Sequence, residues 1–110
     1  MKYKDLVNNP ERAIVDMDSN TGPEYTPNLM NGSIFRIDDT VDVTLNNPEN
    51  LKDGHYIRFE IKTGTGNTVT LGSYYTIDGI HISPFTNTNG LYIVEGRYSA
   101  QLGKMLLRAV

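Results

Sequence analysis

The stretch His55-Tyr56-Ile57-Arg58-Phe59-Glu60-Ile61-Lys62 decides the fold of this chain. Every second residue of an extended chain points to the same side. The two resulting sets are His55, Ile57, Phe59 and Ile61 on one side, and Tyr56, Arg58, Glu60 and Lys62 on the other. An apolar set facing a polar set at this period predicts a β-strand that is buried on one face.

Shorter alternating segments of the same kind continue from residue 31 to residue 110 and are separated by Gly, Asn, Asp and Pro. The segments are 33–37, 41–45, 69–71, 74–77, 80–83, 91–94, 97–99 and 104–110. This spacing predicts an all-β protein, a small β-sandwich or barrel-like domain of short antiparallel strands.

Two connections between these strands are predicted from their turn residues. The Gly-rich segment 63–67 predicts a hairpin that joins 55–62 to the strand containing Val69 and Leu71. Glu95-Gly96 predicts a turn that separates strand 91–94 from strand 97–99.

Residues 1–30 differ in character, because they hold three Pro and one Gly and have no alternating pattern. We predict an irregular N-terminal arm here, with one helical turn after Asn9-Pro10, and a separate β-rich domain at 31–110. The arm is either a loose tail or a segment that becomes ordered on a partner. Its apolar candidates for such a contact are Ile14, Val15, Met17, Tyr25, Leu29 and Met30.

Composition excludes several classes of function. The chain has 110 residues, a net charge of −3 and no cysteine. No basic field is available for nucleic acid, no apolar stretch is long enough for a membrane span, and thiol chemistry is absent. The hydrophobic content of 38% is low for a single domain. A thin core of this kind favours completion by assembly with further copies.

Two groups of polar residues are candidate sites of chemistry. Asp16-x-Asp18-x-Asn20 has the start of a calcium loop, but Thr21 and Pro27 stand where that loop needs Gly and Glu. Asp38, Asp39 and Asp42 could form a carboxylate pair for glycoside hydrolysis, although such residues are also common in turns. We expect neither pattern to be a site.

The two histidines, His55 and His81, could supply part of a metal site, but their spacing suggests no third ligand. We therefore expect no enzyme, no metal and no cofactor.

Five of the seven tyrosines fall in predicted strands: Tyr56, Tyr74, Tyr75, Tyr92 and Tyr98. Exposed tyrosines beside Asn and Thr can stack on sugar rings, whereas half-buried ones pack on a sheet or between subunits. The first interpretation predicts a glycan-binding module or adhesin tip with Tyr74 and Tyr75 as its ligand-binding residues.

Several segments between Val43 and Val110 carry a resemblance to a known class of protein. They are Val43-Thr44-Leu45-Asn46-Asn47-Pro48, Asp53-Gly54-His55-Tyr56-Ile57-Arg58-Phe59, Gly66-Asn67-Thr68-Val69-Thr70-Leu71, Tyr75-Thr76-Ile77-Asp78-Gly79 and Asn89-Gly90-Leu91-Tyr92-Ile93-Val94. In this pattern the chain resembles small phage virion proteins of the head-fibre and capsid-decoration type.

The resemblance implies a homotrimer whose N-terminal segment is fixed to the capsid and whose β-rich domain faces outward. The implied partners are the major capsid protein or another virion protein, and the implied location is the virion, after synthesis in the host cytoplasm. The C-terminal run is apolar on both sides of a strand, which predicts that it is buried between subunits. The predicted oligomer interface is Leu91, Tyr92, Ile93, Leu106, Leu107 and Val110.

Overall fold

The computed structural model describes residues 13–17 and 24–110. Within these residues the chain forms ten strands and no helix. The strands are β1 (Ile14–Met17), β2 (Glu24–Tyr25), β3 (Ile34–Asp38), β4 (Val43–Leu45), β5 (Tyr56–Lys62), β6 (Asn67–Leu71), β7 (Tyr75–Ile77), β8 (Phe85–Asn87), β9 (Leu91–Ser99) and β10 (Lys104–Ala109). The prediction of an all-β fold is confirmed.

The strands form two sheets that enclose one core. The larger sheet has the order β1-β3-β5-β9-β10-β7, and the smaller sheet has the order β2-β4-β6-β8. Buried side chains of both sheets belong to a single apolar cluster, in which Val43 and Val69 of the smaller sheet join Phe35 and Phe59 of the larger one. The molecule is therefore a β-sandwich with one outward face on each sheet.

Strand β5 lies inside the larger sheet and behaves as its alternation predicts. Ile57, Phe59 and Ile61 are fully buried, and the residues between them are partly exposed. The Phe59 ring lies 5.6 Å from the ring of Phe35 and 5.5 Å from that of Tyr75. Aromatic contacts at these distances anchor the centre of the core.

The expectation of antiparallel strands is wrong for most of the sandwich. Five of the eight pairings are parallel, namely β1–β3, β3–β5, β2–β4, β4–β6 and β7–β10. The reason is that the chain changes sheet after every strand from β1 to β8. Along β1 to β6, two crossings return the chain to the same sheet in its original direction, so the strands of β1-β3-β5 and of β2-β4-β6 run parallel.

Both predicted connections are also wrong. β5 and β6 lie in different sheets, so the Gly-rich segment between them crosses the sandwich and forms no hairpin. Strand β9 runs unbroken through Glu95-Gly96. A Cβ atom on Gly96 would lie 1.9 Å from the Leu106 carbonyl oxygen, so glycine is needed here for the close approach of β10.

The predicted boundary at residue 30 does not separate an arm from the fold. β1 joins the edge of the larger sheet and β2 joins the edge of the smaller one. Tyr25 and Leu29 are core residues with only 1% and 2% of their surface exposed. The predicted helical turn at Asn9-Pro10 lies outside the described residues.

Candidate functional site

The outward side of the larger sheet is the most distinctive surface of the described chain, and we call it the outer face. It consists of the residues that alternate with the buried ones along the strands of this sheet. Its charged and large apolar members are Ile14, Asp16, Ile34, Arg36, Asp38, Tyr56, Arg58, Glu60, Lys62, Leu91, Ile93, Glu95, Arg97, Lys104, Leu106 and Arg108.

A chain of ion pairs crosses the middle of the outer face. Arg36 on β3 donates from Nε to Oε1 of Glu60 at 3.0 Å. Arg58 donates from Nε to the other Glu60 oxygen at 2.8 Å and from Nη1 to Oε1 of Glu95 at 2.6 Å. The Tyr56 hydroxyl also donates to Glu95 at 3.1 Å. One network thus fixes the side chains of three adjacent strands.

This network perturbs the titration of both carboxylates. The hydrogen bond from Arg58 holds the pKa of Glu60 below its ordinary value, against the opposing effect of burial. The same guanidinium, followed by the Tyr56 hydroxyl, lowers the pKa of Glu95. Both groups therefore stay charged at neutral pH, which suits a fixed electrostatic pattern.

Apolar side chains surround this network. Ile34 and Ile93 are half-buried on the outer face, whereas Ile14, Leu91 and Leu106 are largely exposed. Leu106 has 45% of its surface exposed although it lies within a regular strand. The outer face therefore presents exposed aliphatic groups next to an ordered set of paired charges.

The predicted oligomer interface divides between two environments. Leu91, Ile93 and Leu106 lie on the outer face, and the adjacent Val110 donates its backbone N–H to the Ile93 carbonyl. Leu107 is buried in the core. The two that face inward, Leu107 and Tyr92, differ in depth: Tyr92 is only partly buried, and its ring lies 4.6 Å from that of Phe85. Four of the six residues thus form or border one accessible surface.

The predicted capsid-binding residues divide in a similar way. Tyr25 and Leu29 are buried in the core, and Val15 and Met17 pack against it, so these four contact their own chain. Ile14 is exposed on the outer face at the edge strand β1. Met30 is exposed in the loop after β2. These positions do not form a separate arm.

The two tyrosines of the glycan-binding alternative also have different surroundings. Tyr74 is 36% exposed, and its ring lies 6.4 Å from that of Tyr98. Tyr75 is 1% exposed and donates its hydroxyl to the Asn46 carbonyl at 2.9 Å. Burial raises the pKa of the Tyr75 hydroxyl well above its ordinary value. Tyr75 is therefore a core residue that a sugar ring cannot reach in this fold.

Two of the aspartates that were candidates for a carboxylate pair form hydrogen bonds within the chain. Asp42 accepts hydrogen bonds from the Thr68 backbone and the Asn67 side chain, which lower its pKa, and Asp39 accepts one from the Tyr25 hydroxyl. In the described part of the chain no three His, Asp or Glu side chains form a cluster that could hold a metal. Asp18 and Asn20 of the calcium-loop pattern lie outside the described residues.

The histidines lie apart, and each has its own surroundings. His81 Nδ1 lies 2.8 Å from the Tyr75 carbonyl, which can only accept, so Nδ1 carries the hydrogen. Ile77 and Ile80 exchange backbone hydrogen bonds beside it. The backbone groups of β7 on the side away from β10 are thus already hydrogen-bonded to Ile80 and His81. Another strand cannot pair there without breaking these bonds. His55 Nε2 is buried without a hydrogen-bond partner in the described residues.

Sequence reasoning missed the ion-pair network because it depends on strand register. The alternation placed Arg58 and Glu60 on one face, but the pairing of Arg58 with Glu95 follows from the β5–β9 alignment. The sequence does show charges of opposite sign at residues 36, 58, 60 and 95. They predict particular ion pairs only when it is known which strands are neighbours in the sheet.

Comparison with protein-family models, with curated proteins and with solved structures gave no match. In the described residues no helix is long and apolar enough to cross a membrane.

Proposed function

We propose that this chain is a structural subunit of a virion, of the head-fibre or capsid-decoration type, which assembles with copies of itself. The proposal assigns it no catalytic step. The single observation that carries self-association is the outer face, where Leu91, Ile93 and Leu106 surround an ordered network of charges. The resemblance of the segments after Val43 to small phage virion proteins supports the virion setting.

Association by this face is favoured over association by the free edge of β7. His81 and the backbone of Ile80 already occupy that edge, so strand addition there would break existing hydrogen bonds. Burial of exposed aliphatic groups is the main favourable term in most protein association. The outer face offers such groups on rigid strands, so little ordering is needed on binding.

Capsid attachment is assigned to the segment before Ala13. The apolar residues first considered for this contact are mostly committed to the core or packed against it, since Tyr25 and Leu29 are buried. A capsid protein could contact Tyr25 and Leu29 only if the two sheets separated. The proposed attachment therefore uses residues 1–12, with the exposed Ile14 beside them.

A matched pair of variants tests self-association. Leu106→Glu places a carboxylate in the outer face, whereas Leu102→Glu places one in the β9–β10 turn, where the leucine is 60% exposed. We expect Leu106→Glu to be monomeric and Leu102→Glu to assemble like the unmodified protein, as measured by sedimentation velocity. Unchanged assembly of a folded Leu106→Glu variant would remove the outer face from the proposal.

A glycan-binding module remains the second candidate function. The observation that favours it is the partly exposed Tyr74 ring next to that of Tyr98. This candidate predicts that the wild-type protein binds sugars on a glycan array and that Tyr74→Phe retains binding while Tyr74→Ala loses it. An array without any bound sugar would remove this candidate.

A further inference from the structure

The charges of the described chain are divided unevenly between the outer face and the rest of the molecule. Six Lys or Arg side chains and four carboxylates belong to the outer face, which gives it a net charge of +2. The cations are Arg36, Arg58, Lys62, Arg97, Lys104 and Arg108. Elsewhere in the described residues, six carboxylates accompany one cation, Lys52.

The smaller sheet marks the acidic side of the molecule. Glu24 begins β2, Asp42 directly precedes β4, and Glu49 lies in the loop that follows β4. Glu24 and Glu49 are both exposed. None of the strands β2, β4, β6 and β8 carries a Lys or Arg. The sandwich thus has one basic side and one acidic side.

Several cations of the outer face remain available to a partner. Lys62 and Arg108 form no hydrogen-bonded ion pair within the described chain, although the charge of Arg108 contributes to lowering the pKa of Glu95 opposite it. Arg97 donates only to a neutral group, the Gly54 carbonyl, at 2.8 Å. These three side chains can therefore contact carboxylates of another molecule without breaking the network around Arg58.

We propose that the outer face of one copy binds the acidic side of a second copy. This inference rests on the self-association proposed above and specifies its geometry. Contact between two outer faces would bring together two surfaces of net positive charge, which opposes binding. Contact between the outer face and the acidic side joins surfaces of opposite charge.

The symmetry of the assembly follows from this contact. A two-fold contact uses the same surface on both copies and joins only two of them. A contact between different surfaces leaves the pair with one free surface of each kind, so further copies add until a ring closes or a stack forms. The trimer that the sequence resemblance implies requires a contact of this second kind.

Two complementary variants test the inference. Arg97→Glu with Arg108→Glu reverses charge on the outer face, and Glu24→Lys with Glu49→Lys reverses it on the acidic side. Each double variant is expected to associate at least about tenfold more weakly than the wild type, with circular dichroism used to check the fold. Lys52→Glu, a single charge reversal at an exposed site off the outer face, serves as control and is expected to assemble.

Mixing the two double variants gives the decisive result. Each retains one wild-type surface and carries its reversed charges on the other, so sedimentation velocity should show an equimolar complex with one copy of each. Normal assembly of Glu24→Lys with Glu49→Lys would overturn this inference and leave the proposed self-association intact. A mixture that stays monomeric would also overturn it, and a monomeric wild type would overturn both proposals.

Discussion

Nη1 of Arg58 lies 2.6 Å from Oε1 of Glu95 on the neighbouring strand, and this contact ties β5 to β9 on the outer face. Glu95 in turn lies opposite Arg108 of β10 in the sheet register. The same guanidinium reaches Glu60 at 2.8 Å. Arg58 is therefore the central side chain of a network that spans adjacent strands, and it fixes the pattern of charge on the outer face.

Replacement of Arg58 should destabilise the fold modestly. In Arg58→Met two half-exposed carboxylates lose their main partner, and we expect a loss of about 1 kcal/mol in the free energy of unfolding. Arg36→Met is the matched control, because Arg36 is more exposed and reaches Glu60 alone. Urea unfolding in the Leu106→Glu background measures both without a contribution from assembly. An equal loss of unfolding free energy in Arg58→Met and Arg36→Met would contradict the conclusion that Arg58 is the main partner of both carboxylates.

The stability of the fold should decline in acid because of Glu60 and Glu95. Their pKa values are lower in the folded protein than the ordinary value of about 4.3. The stabilisation is thus complete above that pH and is lost as the pH falls through the lowered folded values. Glu60→Gln with Glu95→Gln should flatten the decline in unfolding free energy between about pH 5 and pH 3. A parallel decline in both proteins would show that other carboxylates dominate.

Truncation should separate capsid attachment from folding. A chain without residues 1–12 retains β1 and β2, and we expect it to unfold cooperatively and to assemble, but not to bind capsids. A chain without residues 1–30 loses the buried Tyr25 and Leu29 and should not unfold cooperatively. Circular dichroism and co-sedimentation with capsids measure the two properties. Capsid binding by the chain without residues 1–12 would show that attachment does not depend on these residues.

The adjacent residues Tyr74 and Tyr75 should respond oppositely to truncation of their side chains. Tyr75→Ala opens a cavity beside Phe59 and should cost about 3–5 kcal/mol of unfolding free energy. Tyr74→Ala removes a partly exposed ring and should cost less than about 1 kcal/mol. Chemical denaturation of both variants measures the difference. Similar values would contradict the placement of Tyr75 in the core.

The sequence predicted which side chains are buried better than it predicted how the strands connect. The alternation of Ile57, Phe59 and Ile61 identified a core-facing strand, because a period of two depends only on the pleat of a strand. Parallel and antiparallel strands share that period, so the pattern did not indicate direction.

A weak internal repeat could have revealed the parallel pairing. Phe35-x-Ile37 recurs as Phe59-x-Ile61, and these residues align in the β3–β5 register. Val43-x-Leu45 recurs as Val69-x-Leu71, which align in the β4–β6 register. Repeats of this kind indicate that successive turns of chain stack on one another. Because the repeats are only three residues long, they are a weaker signal than the Gly-rich segment 63–67, which predicted a hairpin between neighbouring strands.

The candidate surface could be predicted only in part. Leu91, Ile93 and Leu106 were expected at an interface, and they do lie on one accessible face. Leu107 was expected there too but is in the core, because β10 is buried on one side only. The charges that divide the molecule into two sides are far apart in the sequence, and register alone brings them together.

The mass of the unmodified protein in solution is the direct test of self-association. Light scattering coupled to size exclusion measures it against a subunit mass of 12.3 kDa. Self-association through the outer face predicts a mass of several subunits, close to three for a closed trimeric ring, that decreases as salt screens the charges. A mass of one subunit at every protein and salt concentration would show that the protein does not self-associate.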